Sequence, residues 1–203
     1  QGNYAEALEY QQKSLAMSEG IGDQTGIAST TIGIGTVYAQ QANFPLALKY
    51  FQKGLAMREA LGDKMGIARA LNSIGNVHDS QGNYVEALEH YQKSLAMSED
   101  LGDKTGMVNL LNNLGLVYYH LGDFGQASES LRKGLAMSES IGYKDGIGST
   151  LIGLGNLFFL QGNYVQALAS LQKSLEIFQD LGDKDGLLRA LGNIGNVHLA
   201  QGN

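Results

Sequence analysis

The chain has 203 residues and contains no cysteine, no tryptophan and only one proline. Without cysteine it can form neither disulfides nor thiolate metal sites, which fits a reducing compartment, so we expect a cytoplasmic protein. No apolar run approaches the roughly 18 residues that span a membrane, and the first residues do not form a basic and apolar leader. Because the chain starts with Gln1 and not with methionine, we expect it to be a fragment of a longer protein.

Charged residues are also scarce, at 17% of the chain, and the formal net charge is −6 with no run of basic residues. A surface that follows nucleic-acid phosphates needs clustered lysine and arginine. The sequence therefore favours neither a nucleic-acid nor a membrane partner. Apolar residues make up 43% of the chain, which is enough to bury a sizeable core.

Glycine, in contrast, is abundant, and its 28 residues recur in register. The motif Gln-Gly-Asn-Tyr or a variant of it returns every 40 residues without insertion, starting at Gln1, Gln41, Gln81, Leu121 and Gln161. Residues 1–40 and 81–120 are identical at 23 of 40 positions. This self-similarity predicts a tandem array made by duplication.

Each repeat contains two stripes of apolar residues with helical spacing. The first stripe includes Leu71, Ile74 and Gly75, and the second includes Tyr84 and Tyr91. We call the helices that carry these stripes first-type and second-type helices. The register predicts ten helices: a second-type helix at about 3–20, four complete pairs between about 23 and 180, and a first-type helix at about 184–200.

Polar residues and glycines between the stripes predict the helix ends. For second-type helices the expected N-caps are Asn3, Asn43, Asn83, Asp123 and Asn163, with a capping-box partner at Glu6, Glu86, Gln126 and Gln166. First-type helices have Asp23, Asp63, Asp103 and Asp183 as expected caps. Left-handed glycines are expected before the caps, at Gly2, Gly22, Gly62, Gly82, Gly102, Gly122, Gly162 and Gly182.

One further glycine recurs inside every first-type helix, where it costs about 1 kcal/mol compared with alanine. This column contains Gly35, Gly75, Gly115, Gly155 and Gly195. Its recurrence predicts a close approach of the partner helix at this point.

The pattern from Leu71 to His78, followed by Gly82-Asn83-Tyr84 and Ala87, resembles the tetratricopeptide repeat. The 40-residue period is similar to the longer-repeat subtype of the LGN/Pins spindle-orientation adaptors and of bacterial signalling proteins. The resemblance implies an all-α fold, a right-handed superhelical solenoid of antiparallel helix pairs. Residues 1–203 would form a single array with half repeats at 1–20 and about 184–203. The sequence departs from the consensus by lacking its tryptophan and by placing Tyr143 where other repeats have a capping aspartate.

No pattern of an enzyme, cofactor or metal site is found. The Gly-rich strings lie inside helical stripes, without the preceding strand of a dinucleotide site or the spacing of a phosphate loop. The histidines form no repeated i, i+4 ligand pair, and His78 and His198 occupy a column that contains aromatic rings elsewhere. No Ser–His–acid arrangement can be assembled. We therefore expect packed histidine rings, no cofactor, no metal and no catalytic residue.

Asparagine accumulates on the first-type helices, which line the concave side of such a solenoid. A carboxamide both donates and accepts, so a ladder of asparagines can bind the backbone of an extended peptide. The resemblance implies this role for Asn76, Asn156 and Asn196. Arg69 and Arg189 could pair with carboxylates of the ligand. The complete set of expected peptide-binding residues is Arg69, Asn72, Asn76, Asp79, Asn109, Asn112, Asn113, Tyr119, Asn156, Phe159, Arg189 and Asn196. The alternative interpretation is that these asparagines tie one helix to the next.

The leading hypothesis is a non-enzymatic scaffold whose concave groove binds an extended or partly helical segment of a partner protein. The second hypothesis is a regulatory, sensor or oligomerisation segment of a larger bacterial signalling protein whose catalytic domain lies outside this chain. Because each repeat buries its apolar face on its neighbours, the terminal half repeats should expose core-like surface. We therefore also expect head-to-tail self-association through these half repeats.

Overall fold

A computed structural model describes residues 3–202, and these residues form ten α-helices and no strand. The second-type helices are α1 (Tyr4–Ile21), α3 (Phe44–Ala60), α5 (Tyr84–Leu101), α7 (Phe124–Ser140) and α9 (Tyr164–Leu181). The first-type helices are α2 (Gln24–Gln40), α4 (Lys64–Ser80), α6 (Lys104–His120), α8 (Lys144–Leu160) and α10 (Lys184–Gln201). The predicted all-α fold with ten helices is confirmed.

The chain divides into two compact units, with the boundary between Leu101 and Gly102. In the first unit, α1 packs on α2, α2 on α3, α3 on α4 and α4 on α5, and the first-type helices α2 and α4 also touch. In the second unit, successive helices from α6 to α10 pack in the same way, and α8 contacts both α6 and α10. Each unit is thus a stack of helix pairs in which first-type helices are neighbours. The single array with a half repeat at each end stays a prediction.

The helix ends follow most of the sequence pattern. All four predicted aspartate caps of first-type helices accept a backbone N–H, as Asp63 Oδ1 does from Gly66 at 2.9 Å. Asn3, Asn43 and Asp123 cap second-type helices, whereas Asn163 makes no capping bond. The predicted left-handed glycines have φ between 66° and 78°, and Gly2 lies outside the described residues.

The predicted capping box is wrong for the second-type helices α7 and α9. The backbone N–H of Asp123 donates to Tyr118 O and that of Asn163 donates to Phe158 O, each at 2.9 Å. These bonds close the preceding first-type helix in the Schellman manner. Because the turn between the helices is so short, the end of one helix has already used the N–H that a capping box would need.

The helix pairs are held close by the glycine column of the first-type helices. A Cβ atom on Gly75 would lie 2.6 Å from the ring of Tyr91, which is only 1% exposed. Phe51 packs in the same way on Gly35, Leu131 on Gly115 and Leu171 on Gly155. The predicted close approach is confirmed at these four positions. At Gly195 a Cβ would meet nothing within 4 Å, because none of the helices between residues 3 and 202 packs on it.

The difference between Gly75 and Gly195 gives a matched pair of variants. Gly75→Ala should lower the free energy of unfolding by about 1–3 kcal/mol, because the Tyr91 ring must move. Gly195→Ala should raise it by up to about 1 kcal/mol, since alanine is the better helix former and has room. Urea denaturation followed by circular dichroism measures both changes. Equal effects of the two substitutions would show that the column is not a packing constraint.

One turn stores backbone strain. Ala42 has φ of 55° at a position where the equivalent residues are left-handed glycines. A side chain in this conformation costs roughly 1–2 kcal/mol, because its Cβ crowds the following carbonyl.

Ala42→Gly should therefore raise the free energy of unfolding by up to about 1 kcal/mol, after allowance for the greater entropy of glycine in the unfolded chain. Gly122→Ala, which places a side chain at an equivalent residue with φ of 78°, should lower it by a similar amount. Chemical denaturation of the two variants checks the opposite signs, and a shared sign would rule out strain as the cause.

Candidate functional site

The expected binding residues lie on first-type helices and fall into two sets, one in each compact unit. The α4 face of the first unit consists of Arg69, Asn72, Asn76 and Asp79. The unit 2 face consists of Asn109, Asn112, Asn113 and Tyr119 on α6, Asn156 and Phe159 on α8, and Arg189 and Asn196 on α10. Because α6, α8 and α10 are neighbours, the second set forms one continuous layer of helices.

Solvent reaches some of these residues more than others. Arg69, Asn76, Asn109, Arg189 and Asn196 are exposed, and the others are half-buried. The exposed residues are three amides and two guanidinium groups. Both faces therefore offer hydrogen-bond donors to a ligand, together with amide oxygens as acceptors.

Asn76 takes part in the packing of its own helix pair. The hydroxyl group of the buried Tyr91 on α5 donates to Asn76 Oδ1 on α4 at 2.7 Å. Burial raises the pKa of Tyr91, helped by the charge of Asp79, so the phenol remains a neutral donor. This contact joins α4 to α5 just where the Tyr91 ring rests on Gly75.

Asn112 has a similar role between two first-type helices. Its Oδ1 atom lies 2.6 Å from Thr150 Oγ1 on α8, and Thr150 is fully buried. The same hydroxyl lies 2.7 Å from the carbonyl oxygen of Gly146, so its single proton serves one acceptor at a time. Asn76 and Asn112 thus tie helices together, as the alternative interpretation expects for these positions.

Asn156 and Asn196 differ from these two asparagines. They lie one repeat apart on the neighbouring helices α8 and α10. Neither side chain makes a hydrogen bond or another polar contact within residues 3–202. Their carboxamides can therefore bind a ligand without breaking a contact that holds the fold.

The arginines of the two faces have different surroundings. Arg69 on α4 is exposed, and its charge helps to lower the pKa of Asp63. The larger causes of that lowered pKa are the N–H of Gly66 and the guanidinium of Arg58, which pairs with Asp63 at 2.5 Å. Arg189 on α10 holds its guanidinium carbon 5.7 Å from the ring centre of the buried Phe178, a cation–π contact.

The two expected rings pack mainly on their neighbours. Tyr119 meets His120 and Phe124 edge to face, with ring centres 5.4 and 6.3 Å apart. Phe159 lies 5.9 Å from Tyr164 on α9. Both rings form part of the joint between a first-type helix and the start of the next helix.

Tyr143 also belongs to the unit 2 face, although it is not among the residues predicted from the sequence. Tyr143 stands at the N-cap of α8 without a capping bond, and its hydroxyl donates to Asp145 Oδ2 at 3.2 Å. The same hydroxyl lies 3.5 Å from Oδ1 of Asn109 on α6. The sequence signal for it is the break in the aspartate column of caps, where Tyr143 replaces the aspartate of the other repeats.

Two histidines form a stack between α4 and α5. The ring centres of His78 and His90 are 5.4 Å apart and the planes differ by 8°, as in the Tyr38–Tyr50 stack one repeat earlier. The Nδ1 atoms of both are buried and have no hydrogen-bond partner in the described part of the chain. The prediction of a packed ring is confirmed for His78 but is wrong for His198, which is exposed on α10. Burial lowers the pKa of His90, with smaller contributions from His78 and Lys93 and an opposing one from Glu89.

The family model of the tetratricopeptide repeat matches residues 1–60, 66–140 and 146–203. The chain belongs to the tetratricopeptide repeat family. Comparison with curated protein sequences gives no match.

Solved structures of other proteins have a similar fold. BtubC (BKLC) from P. vanneervenii matches with a TM-score of 0.82 and 17% identity, over 100% of this chain and 85% of that one. A Rap conjugation gene regulator of plasmid pLS20, solved in complex with the Phr* peptide, matches with a TM-score of 0.81 and 17% identity, over 93% of this chain and 52% of that one. A Rap protein complexed with Competence and Sporulation Factor has a TM-score of 0.71 and 15% identity, over 98% and 60% of the two chains. This tetratricopeptide chain thus spans little more than half of the two Rap proteins.

No helix between residues 3 and 202 has the length and apolar character needed to cross a membrane. In the same range, histidine, aspartate and glutamate side chains nowhere gather in a group of three that could hold a metal ion.

The histidine stack predicts how stability depends on pH. The unfolded chain protonates His90 near pH 6.5, whereas the folded chain does so only at lower pH. As pH falls below this value, the unfolded state binds more protons, and the folded state loses stability by at most about 1.4 kcal/mol per pH unit for this group. The double variant His78→Tyr/His90→Tyr, which copies the Tyr38–Tyr50 stack, should lack this loss. Urea denaturation between about pH 7 and 5 compares the two proteins, and parallel curves would contradict the prediction.

Proposed function

We propose that this chain is a non-catalytic protein-interaction module that binds an extended or partly helical segment of a partner protein along its first-type helices. The observation that carries the proposal is the pair Asn156 and Asn196, whose amides lie one repeat apart with no polar partner within residues 3–202. Each amide can donate to a backbone carbonyl and accept from a backbone N–H. Affinity then comes from main-chain contacts that any extended peptide offers.

The similar structures support a peptide as ligand. Of these proteins, one Rap regulator is solved in complex with the Phr* peptide, and another Rap protein with Competence and Sporulation Factor. Sequence identities of 15–17% show a similar fold and nothing more. A peptide as the ligand of this chain is therefore part of what we propose. Arg69 supplies a cationic group on the α4 face, where it can pair with a ligand carboxylate.

The second candidate is a regulatory or oligomerisation segment of a larger signalling protein. It is favoured by the chain covering only 52% of the Rap conjugation gene regulator. Head-to-tail self-association belongs to this candidate, and exposed Leu188, Leu191 and Leu199 on α10 supply an apolar face for it. A single monomer mass at all concentrations in light scattering would exclude that contact. The LGN/Pins-like subtype and a cytoplasmic location stay predictions.

The double variant Asn156→Ala/Asn196→Ala tests the proposed groove. Each lost hydrogen bond costs about 0.5–1.5 kcal/mol, so the variant should bind at least about fivefold more weakly to peptides that the unmodified chain selects from an array of extended nonapeptides. Fluorescence anisotropy measures the dissociation constants. Thermal stability should stay unchanged, because neither side chain holds the fold.

The matched control is Asn76→Ala, which removes the partner of the buried Tyr91 hydroxyl. This variant should lower the free energy of unfolding by about 1–3 kcal/mol. If no peptide binds, or if the double variant binds as tightly as the unmodified chain, the proposed function is wrong.

A further inference from the structure

Tyr143 interrupts a regular feature of the first-type helices. In α2, α4, α6 and α10 the residue before the helix is an aspartate that accepts a backbone N–H from the first turn. Tyr143 makes no such bond, so α8 begins without a side-chain cap. Loss of a side-chain cap destabilises the start of a helix. Departures from a locally favourable residue are expected where a site needs different chemistry.

The Tyr143 hydroxyl lies between two other polar groups of the second unit, Asn109 and Asp145. The Tyr143 ring packs over Gly146 at the start of α8, beside Val108 of α6. Its hydroxyl lies 3.2 Å from Asp145 Oδ2 and 3.5 Å from Asn109 Oδ1, and its single proton can serve one of them at a time. Burial and the charge of Asp145 raise the pKa of Tyr143, so the hydroxyl group is neutral. The cluster therefore has more acceptors than donors and carries one negative charge.

The equivalent place in the first unit already contains its cation. There Asp63 pairs with Arg58, whose guanidinium also donates to Ser29 Oγ at 2.5 Å. A shift of 80 residues along the array turns Arg58 into Ser138, which is fully buried, and Ser29 into Asn109. No lysine or arginine in residues 3–202 pairs with Asp145. The second unit thus has an exposed carboxylate and an amide oxygen without the arginine of the first unit.

We propose that Asn109, Tyr143 and Asp145 recognise a lysine or arginine side chain of the bound segment. The cation would donate to Asp145 and to Asn109 Oδ1, and the Tyr143 ring would supply a face for a cation–π contact. This inference rests on the proposed function, and it adds a basic residue to the ligand. Tyr143 could instead be only a structural bridge between α6 and α8, and the experiment separates the two roles.

The chain offers a matched control for Asp145. Asp185 lies one repeat later, at the equivalent position in the first turn of α10, and is also exposed. Asp145→Asn and Asp185→Asn remove the same charge from the same place in a helix. Only Asp145 has a tyrosine hydroxyl beside it, because the cap of α10 is Asp183.

The probe is an array of extended nonapeptides in which each position is in turn Arg, Lys, Gln or Glu. The unmodified chain should prefer Arg or Lys to Gln at one position by about five- to tenfold, as expected for a charge-assisted contact near solvent. Asp145→Asn should abolish this preference, and Tyr143→Phe should reduce it. Asp185→Asn should leave it within about twofold, since an exposed charge away from the contact has little effect. Circular dichroism melts check that all variants fold.

The possible results separate the inference from the proposed function. If peptides bind and the Asn156→Ala/Asn196→Ala variant loses them, but Asp145→Asn and Asp185→Asn behave alike, the basic-residue site is wrong and the proposed function stands. A stability loss in Tyr143→Phe without a change in peptide preference would identify a structural bridge and overturn the inference. If no peptide binds to the unmodified chain, both proposals are overturned.

Discussion

The contact of a second-type side chain with a glycine of the preceding first-type helix is the constraint on which the array depends. Tyr91 lies against Gly75, and Leu171 lies against Gly155 in the same way. A methyl group at the glycine would overlap the ring or the branched side chain. Glycine lowers the helix propensity by about 1 kcal/mol compared with alanine, and the closer packing of the two helices compensates for this loss. Because each helix pair is fixed at this point, the orientation of the whole first-type helix follows from it.

The same constraint divides asparagines of similar appearance into two classes. Asn76 lies next to the contact between Tyr91 and Gly75, and it accepts the Tyr91 hydroxyl, so removing it would leave a buried donor without a partner. Asn196 occupies the equivalent position on α10. Within residues 3–202 no second-type helix packs on Gly195, and the Asn196 amide has no polar partner. The role of an asparagine is therefore not decided by its position in the repeat. It is decided by the residue that faces the asparagine from the other helix of the pair.

The fold could be predicted from the sequence almost completely, whereas the candidate site could be predicted only in part. Helical stripes, aspartate caps and left-handed glycines depend on residues that are close together in the sequence. Because they recur from repeat to repeat, an assignment made in one repeat is supported by the others. The capping box failed because the N–H of Asp123 is used by the preceding helix, which spacing alone does not show. The contact of Asn112 with Thr150 joins residues 38 positions apart, and Tyr143 reaches Asn109 over 34. These contacts depend on side-chain directions across helices, and no periodic pattern reveals them.

Variation between repeats indicates where this array can acquire specificity. Four members of the glycine column, Gly35, Gly75, Gly115 and Gly155, admit no change without repacking. The cap column changes only at a cost in helix stability. A third column of the first-type helices is limited neither by close packing nor by capping. It contains Ser29, Arg69, Asn109, Ser149 and Arg189. At Ser29 the array supplies its own cation through Arg58, but at Asn109 the corresponding residue is the buried Ser138. The second unit therefore has Asn109 and the exposed Asp145 without an arginine in the place of Arg58. A ligand that carries a positive charge can pair with both groups, and because they lie near solvent this pairing adds selectivity more than affinity.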